Sequence, residues 1–126
     1  MPVQDDVAPT GAGPVTLRSG ADLGCTLVCC LTGDLDIESL SPAQQALDEA
    51  IRTGPRILVV DLEQVGFCDS SGLNLLLKVR AAALEADIGL RLAAASPPVL
   101  RLLEITCTQT LFELHPTVRA ALAEAP

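Results

Sequence analysis

The sequence has very few aromatic residues and few basic ones. It contains two phenylalanines and neither tryptophan nor tyrosine, so its core must be built from Leu, Val, Ile and Ala. Eight basic residues stand against sixteen acidic ones, which gives a formal net charge of −8. An acidic surface without a basic cluster repels phosphate backbones. We therefore expect no direct contact with nucleic acid.

Long apolar runs are also missing. No stretch approaches the roughly 18 consecutive apolar residues of a membrane span. Asp5 and Asp6 occupy the N-terminus, where a secretory signal needs basic residues followed by an apolar stretch. We therefore expect no membrane span and a cytoplasmic location. The length predicts one domain over residues 14–126, preceded by a flexible tail of residues 1–13 that is rich in Pro, Gly, Ala and Asp.

The cysteines do not have the spacing of a metal site. There are five of them, an odd number without a C-x-x-C pair, and the only histidine, His115, is near the far end of the chain. Zinc sites need clustered ligands at regular spacing. We therefore expect no metal and no cofactor, and we interpret the thiols as reduced and packed like small apolar side chains.

Apolar runs alternate with helical patterns along the chain. The predicted strands cover residues 15–18, 25–31, 56–60, 89–93 and 111–114. Helices are predicted from a capping box of Ser41 and Gln44, and from Asp69, Ser96 and Pro116. Residues 63–68 are interpreted as a loop.

This order of elements predicts an α/β fold. Strands joined by helical crossovers form parallel sheets, and the first strand is expected to pair with the second as a hairpin. The prediction is a single domain with a mixed, mostly parallel sheet of four to five strands and about four helices. The pattern leaves open whether the helices cover one face of the sheet or both.

Two polar turns should meet at one edge of this sheet. Residues 33–36 (GDLD) follow one predicted strand, and residues 69–72 (DSSG) follow the next. The carboxyl ends of parallel strands share an edge, where open α/β sheets usually bind ligands. Both turns also have an ordinary structural explanation as helix caps and tight turns. Acidic residues are concentrated in or near them, namely Asp34, Asp36, Glu38, Asp61, Glu63 and Asp69.

A serine hydroxyl at the start of the DSSG helix has the features of a phosphate acceptor in this setting. No histidine or lysine base accompanies it, so it is badly placed as a nucleophile. A phosphate would add about −1.5 to −2 charges, tolerable beside helix amides but repulsive toward carboxylates and acidic partner surfaces. The fold would survive such a change, whereas a docking face would not. This pattern predicts a binding switch.

The same residues resemble a known family. The segment VVDLEQVGFCDSSGLNLLL, residues 59–77, is similar to the signature of STAS domains in bacterial anti-sigma-factor antagonists. LTGDLD, residues 31–36, is similar to the family's Gly-Glu-Leu-Asp turn, and residues 102–114 are similar to its late Leu-Leu-Glu-x-Thr segment. The resemblance covers about residues 15–122. Cys107 departs from it, because family members often have a helix-ending glycine there.

The resemblance implies a mechanism of partner switching. The family's phosphorylated serine corresponds to Ser70, and a partner-binding surface is implied at Asp34, Asp36, Asp69, Ser70, Ser71 and Gly72. The unphosphorylated form would bind an anti-sigma factor of the histidine-kinase-like ATPase fold, which is also a serine kinase and ends the complex by phosphorylating its partner. A PP2C-type phosphatase would reverse the mark. The antagonist itself would catalyse nothing.

Two other functions compete with this hypothesis. STAS modules also serve as scaffolds, or as accessory subunits of stress-signalling, transporter or lipid-trafficking complexes. These modules often lack an acceptor serine, so the presence of Ser70 favours the switch. An enzyme is disfavoured, because the sequence has no G-x-S-x-G elbow, no G-x-G-x-x-G and no P-loop.

Overall fold

The computed structural model describes residues 15–19, 26–38 and 40–123. The predicted tail, residues 1–13, lies outside the described residues, as does nearly all of the turn expected between the first two strands. Across the described ranges, no helix combines the length and the apolar character that crossing a membrane requires.

Strands and helices alternate as the sequence predicts. The strands are β1 (Val15–Ser19), β2 (Thr26–Leu35), β3 (Ile57–Cys68), β4 (Gly89–Ala93) and β5 (Glu113–His115). The helices are α1 (Leu40–Thr53), α2 (Ser70–Glu85), α3 (Pro97–Ile105) and α4 (Val118–Ala123). A short 3₁₀ turn, Gln109–Leu111, precedes β5.

The strands form one sheet in the order of the chain. β1 pairs with β2 in antiparallel orientation, and the pairs β2–β3, β3–β4 and β4–β5 are parallel. The mixed, mostly parallel sheet is therefore confirmed, and so is the hairpin at its start.

Both faces of the sheet are covered, but unequally. The main core joins β2, β3 and β4 to α1, α2 and α3, and it includes the fully buried Leu31, Leu47, Leu58, Leu76 and Leu103. A smaller cluster on the opposite face packs α4, through Ala121, against Val28, Val59 and Ala93. The fourth helix thus settles a question that the sequence pattern left open.

The central strands are longer than expected. β2 continues through Gly33 and Asp34 to Leu35, and β3 continues to Cys68, so the predicted loop at residues 63–68 is wrong. The two extensions pair with each other across two register shifts. These bulges break the strict alternation of buried and exposed residues along β3, which is why the segment looks like a loop in the sequence.

Three element boundaries also differ from the prediction. α1 begins at Leu40, so Ser41 lies inside the helix and is not its N-cap. The last strand starts at Glu113, because the residues before it form the 3₁₀ turn. The last helix starts at Val118, because the Thr117 hydroxyl accepts a hydrogen bond from the Ala120 amide at 2.9 Å and caps it.

Cys107 ends α3 in a backbone conformation that favours glycine. Its φ is 59°. The Cys107 amide donates to the Glu104 carbonyl at 3.1 Å, and the Thr108 amide donates to the Leu103 carbonyl at 2.9 Å. These two bonds form a Schellman motif, which usually has glycine at the left-handed position. The family's glycine preference at this position thus has a backbone cause.

Replacing this cysteine should stabilise the protein. A left-handed conformation costs an L-residue roughly 1–2 kcal/mol, and glycine returns about 0.5–1 kcal/mol of that through its larger entropy loss on folding. We expect Cys107→Gly to raise the free energy of unfolding by about 0.5–1 kcal/mol, measured as a higher urea midpoint at unchanged m-value. A lower midpoint would contradict the assignment of strain to this turn.

Candidate functional site

The two polar segments meet at the carboxyl edge of the sheet. Leu35 at the end of β2 is in register with Cys68 at the end of β3. The Asp69 amide then donates a hydrogen bond to the Leu35 carbonyl oxygen at 3.3 Å. The prediction that residues 33–36 and 69–72 are neighbours is therefore confirmed, although residues 33–35 belong to a strand and not to a turn.

Gly72 permits this close approach. A β-carbon at Gly72 would lie 2.7 Å from three atoms, namely the Leu35 carbonyl oxygen, the Leu35 β-carbon and the Cys68 sulfur. Real β-carbons do not come this close to other atoms, so only glycine allows the first turn of α2 to rest on the end of β2. Gly72 is buried, and it contributes to the site by positioning the helix rather than by offering a side chain.

The first turn of α2 holds the two serines differently. Asp69 is the N-cap residue, and its Oδ1 accepts a hydrogen bond from the Ser71 amide at 2.9 Å. Ser70, the first helical residue, is exposed to solvent, whereas Ser71 is half-buried. The cap therefore fixes the direction of the helix start and leaves the Ser70 hydroxyl facing outward.

The acidic residues at the end of β2 lie beside this helix start. Asp34 is exposed and in register with Phe67 on β3. Asp36 is half-buried, and its Oδ1 accepts a hydrogen bond from the Glu38 amide at 3.2 Å. Together with Asp69, these carboxylates give the carboxyl edge a negative charge.

Two acidic residues that the sequence groups with this site lie elsewhere. Asp61 is in the middle of the sheet, in register with Cys30 on β2 and Ala93 on β4. Its carboxylate accepts hydrogen bonds from the Cys30 thiol at 3.4 Å and from the Glu63 amide at 3.1 Å. The strand does not end at residue 60, as predicted, so Asp61 and Glu63 are displaced from the edge.

Sequence reasoning missed two apolar residues at the same edge. Ile37 and Phe67 are 77% and 48% exposed, although both are large and hydrophobic. Phe67 lies in the predicted loop, and a loop prediction does not indicate which way a side chain points. Ile37 follows Asp36 directly, and its isolation among acidic residues was the only available signal.

The thiol beside the site is poorly reactive. Burial, followed by the charge of Asp69, raises the pKa of Cys68 from 9.0 to about 11. Burial likewise raises the pKa of Cys29 to about 12. Cys68 therefore acts as a packing residue beneath α2.

The described residues contain no group of three His, Cys, Asp or Glu side chains that could hold a metal ion.

Gly72→Ala should destabilise the fold. The added methyl group must displace the end of β2 or the start of α2, and overpacking of this kind costs about 1–3 kcal/mol. We expect a lower urea midpoint for this variant. Gly89→Ala is the control, because a β-carbon there would lie 3.6 Å or more from its neighbours. Equal midpoints for the two variants would contradict the close packing at Gly72.

Cys68 should resist alkylation in the folded protein. With a pKa of about 11, roughly one thiol in a thousand is ionised at pH 8, and the thiolate is the reactive form. We expect iodoacetamide to modify the exposed Cys107 first, as read by peptide mass spectrometry, and Cys68 to react readily only in urea. Equal native rates for the two would show that Cys68 is not buried as described.

Comparisons with known proteins agree with this architecture. A family model described as "Mlab, STAS domain" matches residues 23–123. An anti-sigma-B factor antagonist of Staphylococcus aureus is 30% identical over 83 residues, which are 66% of this chain and 77% of that protein.

Solved structures share the fold. An anti-sigma factor antagonist from Mycobacterium paratuberculosis superposes with a TM-score of 0.77 at 25% identity, over 87% of this chain and 91% of that one. The Bacillus cell fate determinant SpoIIAA, solved in its phosphorylated form, superposes with a TM-score of 0.65 at 21% identity, over 87% and 97% of the two chains. The strand order, the DSSG helix start and these matches together establish that the chain belongs to the STAS domain family.

Proposed function

We propose that this protein is an anti-sigma-factor antagonist that is switched by phosphorylation of Ser70. In its unphosphorylated form it binds an anti-sigma factor and so frees the sigma factor. The observation that carries the proposal is the exposed hydroxyl of Ser70 on the first residue of α2, beside Asp69 at the carboxyl edge of the sheet.

Ser70 is suited to accept a phosphate and not to attack a substrate. In the described part of the chain, neither His115 nor Lys78 is hydrogen-bonded to it; His115 instead contacts Glu113 Oε2 at 2.8 Å. An exposed hydroxyl can be modified without moving the core. Ser71 is a poorer acceptor, because it is half-buried and its amide is held by the Asp69 cap.

A phosphate on Ser70 would change the binding surface and leave the fold intact. The amides of the first turn of α2 favour a negative group at this point. The carboxylates of Asp34, Asp36 and Asp69 already lie at the same edge. The negative charge of the phosphate would add to theirs and would weaken the binding of a partner whose surface matches the unphosphorylated form. Binding therefore ends while the domain remains folded.

The family and its named relatives support a proposal for the partners. The Staphylococcus protein is called an anti-sigma-B factor antagonist, and SpoIIAA has been solved in a phosphorylated form. By this relationship, the partner is an anti-sigma factor of the histidine-kinase-like ATPase fold that is also the serine kinase. It docks on the surface formed by Asp34, Asp36, Asp69, Ser70 and Ser71, and the buried Gly72 contributes only by setting the position of the helix start. A PP2C-type phosphatase restores the binding form.

Such a protein catalyses no reaction itself, and it works in the cytoplasm, where sigma factors act on transcription.

A STAS fold alone does not separate a switch from a scaffold or an accessory subunit of a larger complex. The two differ in the use of Ser70, because a scaffold has no need for a changing phosphate at this position.

Phosphorylation should depend on Ser70 and not on Ser71. We expect the wild-type protein from its native cells to carry a phosphate, and we expect Ser70→Ala to fold normally and to lack it. Ser71→Ala, the matched control one residue away, should keep most of it. Peptide mass spectrometry during growth and stress measures the occupancy at each serine.

Two results would contradict the switch. Equal loss of phosphate in both variants would remove the assignment to Ser70. A wild-type protein that carries no phosphate on Ser70 under any condition would favour the scaffold or accessory-subunit function instead.

A further inference from the structure

Two large apolar side chains are exposed at the edge that carries Ser70. Phe67 and Ile37 are 48% and 77% exposed, whereas the nearest apolar residues in the chain, Cys68 and Leu35, are buried. Exposing an isolated apolar side chain is ordinary. Here two are exposed near the ends of adjacent strands, Phe67 within β3 and Ile37 two residues after the end of β2, where one partner at the carboxyl edge could bury both.

The geometry places both side chains close to the acceptor serine. Phe67 precedes Ser70 by three residues, so their α-carbons lie within about 11 Å of each other. Ile37 follows Leu35 by two residues, and the Leu35 carbonyl oxygen accepts a hydrogen bond from the Asp69 amide at 3.3 Å. Both apolar side chains therefore lie near the strand ends from which α2 begins.

Carboxylates border the apolar pair. Asp34 is in register with Phe67, and Asp36 and Glu38 flank Ile37 in the chain. A second copy of this protein would bring the same carboxylates face to face, which is unfavourable. An anionic lipid surface would be repelled for the same reason. The complementary surface is an apolar pocket bordered by arginine or lysine side chains.

We propose that Phe67 and Ile37 are apolar anchors that insert into such a pocket on the anti-sigma factor, and that the surrounding acidic residues pair with basic residues at its rim. This inference rests on the proposed function and deepens it. A few fully desolvated side chains near the centre of an interface contribute most of its binding energy.

The anchors also explain how one phosphate ends the complex. Docking of Phe67 removes water from the neighbourhood of Ser70, and a phosphate there would have to lose its hydration or keep the surfaces apart. Desolvation thus adds to charge repulsion. A surface without an apolar centre would leave the phosphate hydrated and would weaken the switch.

The test is an affinity measurement with purified proteins. Each anti-sigma factor of the histidine-kinase-like ATPase fold from the source organism is titrated, in the presence of ADP so that no phosphate is transferred. The variants are Phe67→Ala and Ile37→Ala. Their controls are Leu84→Ala and Ile105→Ala, whose side chains are 65% and 71% exposed. Leu84 lies fourteen residues along α2 from Ser70, a distance of about 21 Å.

We expect Phe67→Ala to raise Kd by about tenfold or more, and Ile37→Ala by about three- to tenfold. The two controls should change Kd by less than about twofold. All four replaced side chains are exposed, so their urea midpoints should remain near that of the wild type. Values of Kd for the two anchor variants that match the controls would overturn the inference.

A Ser70→Asp variant separates this inference from the proposed function. If Ser70→Asp binds more weakly and the anchor variants bind like the wild type, the proposed switch is supported and the anchor inference is contradicted. If the wild type binds none of these anti-sigma factors, both the proposed function and the anchor inference are contradicted. A wild-type dimer in sedimentation that Phe67→Ala dissolves would assign the apolar pair to a second copy and overturn the inference.

Discussion

The candidate site depends on the contact between the end of β2 and the first turn of α2. At Gly72 the helix packs against Leu35 with no space for a β-carbon. The sulfur of Cys68, at the end of β3, lies against the same position. The backbone bond from the Asp69 amide to the Leu35 carbonyl holds the two segments together. Every polar group of the site is positioned by this contact, because it sets where α2 begins and which side of its first turn faces solvent.

This contact brings the start of α2 and the end of the β2–β3 pair to one edge of the sheet, and each contributes different side chains to it. Asp69 is occupied as the helix cap through the Ser71 amide, which leaves the Ser70 hydroxyl exposed beside it. The bulged extension of β3 then brings Phe67 into register with Asp34 on the same edge. An exposed hydroxyl, a set of carboxylates and an exposed aromatic ring therefore lie at one edge of the sheet. In the proposed switch, a phosphate at this edge would alter binding while the core stays folded.

Prediction from sequence succeeded where the signal was periodic and failed where tertiary pairing overrode it. The alternation of apolar runs with helical patterns predicted four to five strands and about four helices, in the order that the structure shows. The sequence predicts a loop at residues 63–68, because bulges at the β2–β3 pairing disturb the alternation that identifies a strand. As a result, it wrongly places Asp61 and Glu63 at the site and does not predict that Phe67 is exposed. At Cys107 the sequence departs from the family's glycine, yet the positive φ shows that the backbone keeps the conformation that glycine favours.

The sequence by itself determined the fold class, the order of the elements and the meeting of the two polar segments at one edge. These follow from local periodicity and from the rule that parallel strands end at a common edge, whereas the proposal of Ser70 rests on the family resemblance. Only the tertiary structure decided that α4 covers the second face of the sheet, that Gly72 is required by packing, and that Ile37 and Phe67 are exposed beside Ser70. Burial and exposure depend on what the rest of the chain brings to each residue, and no local pattern contains that information.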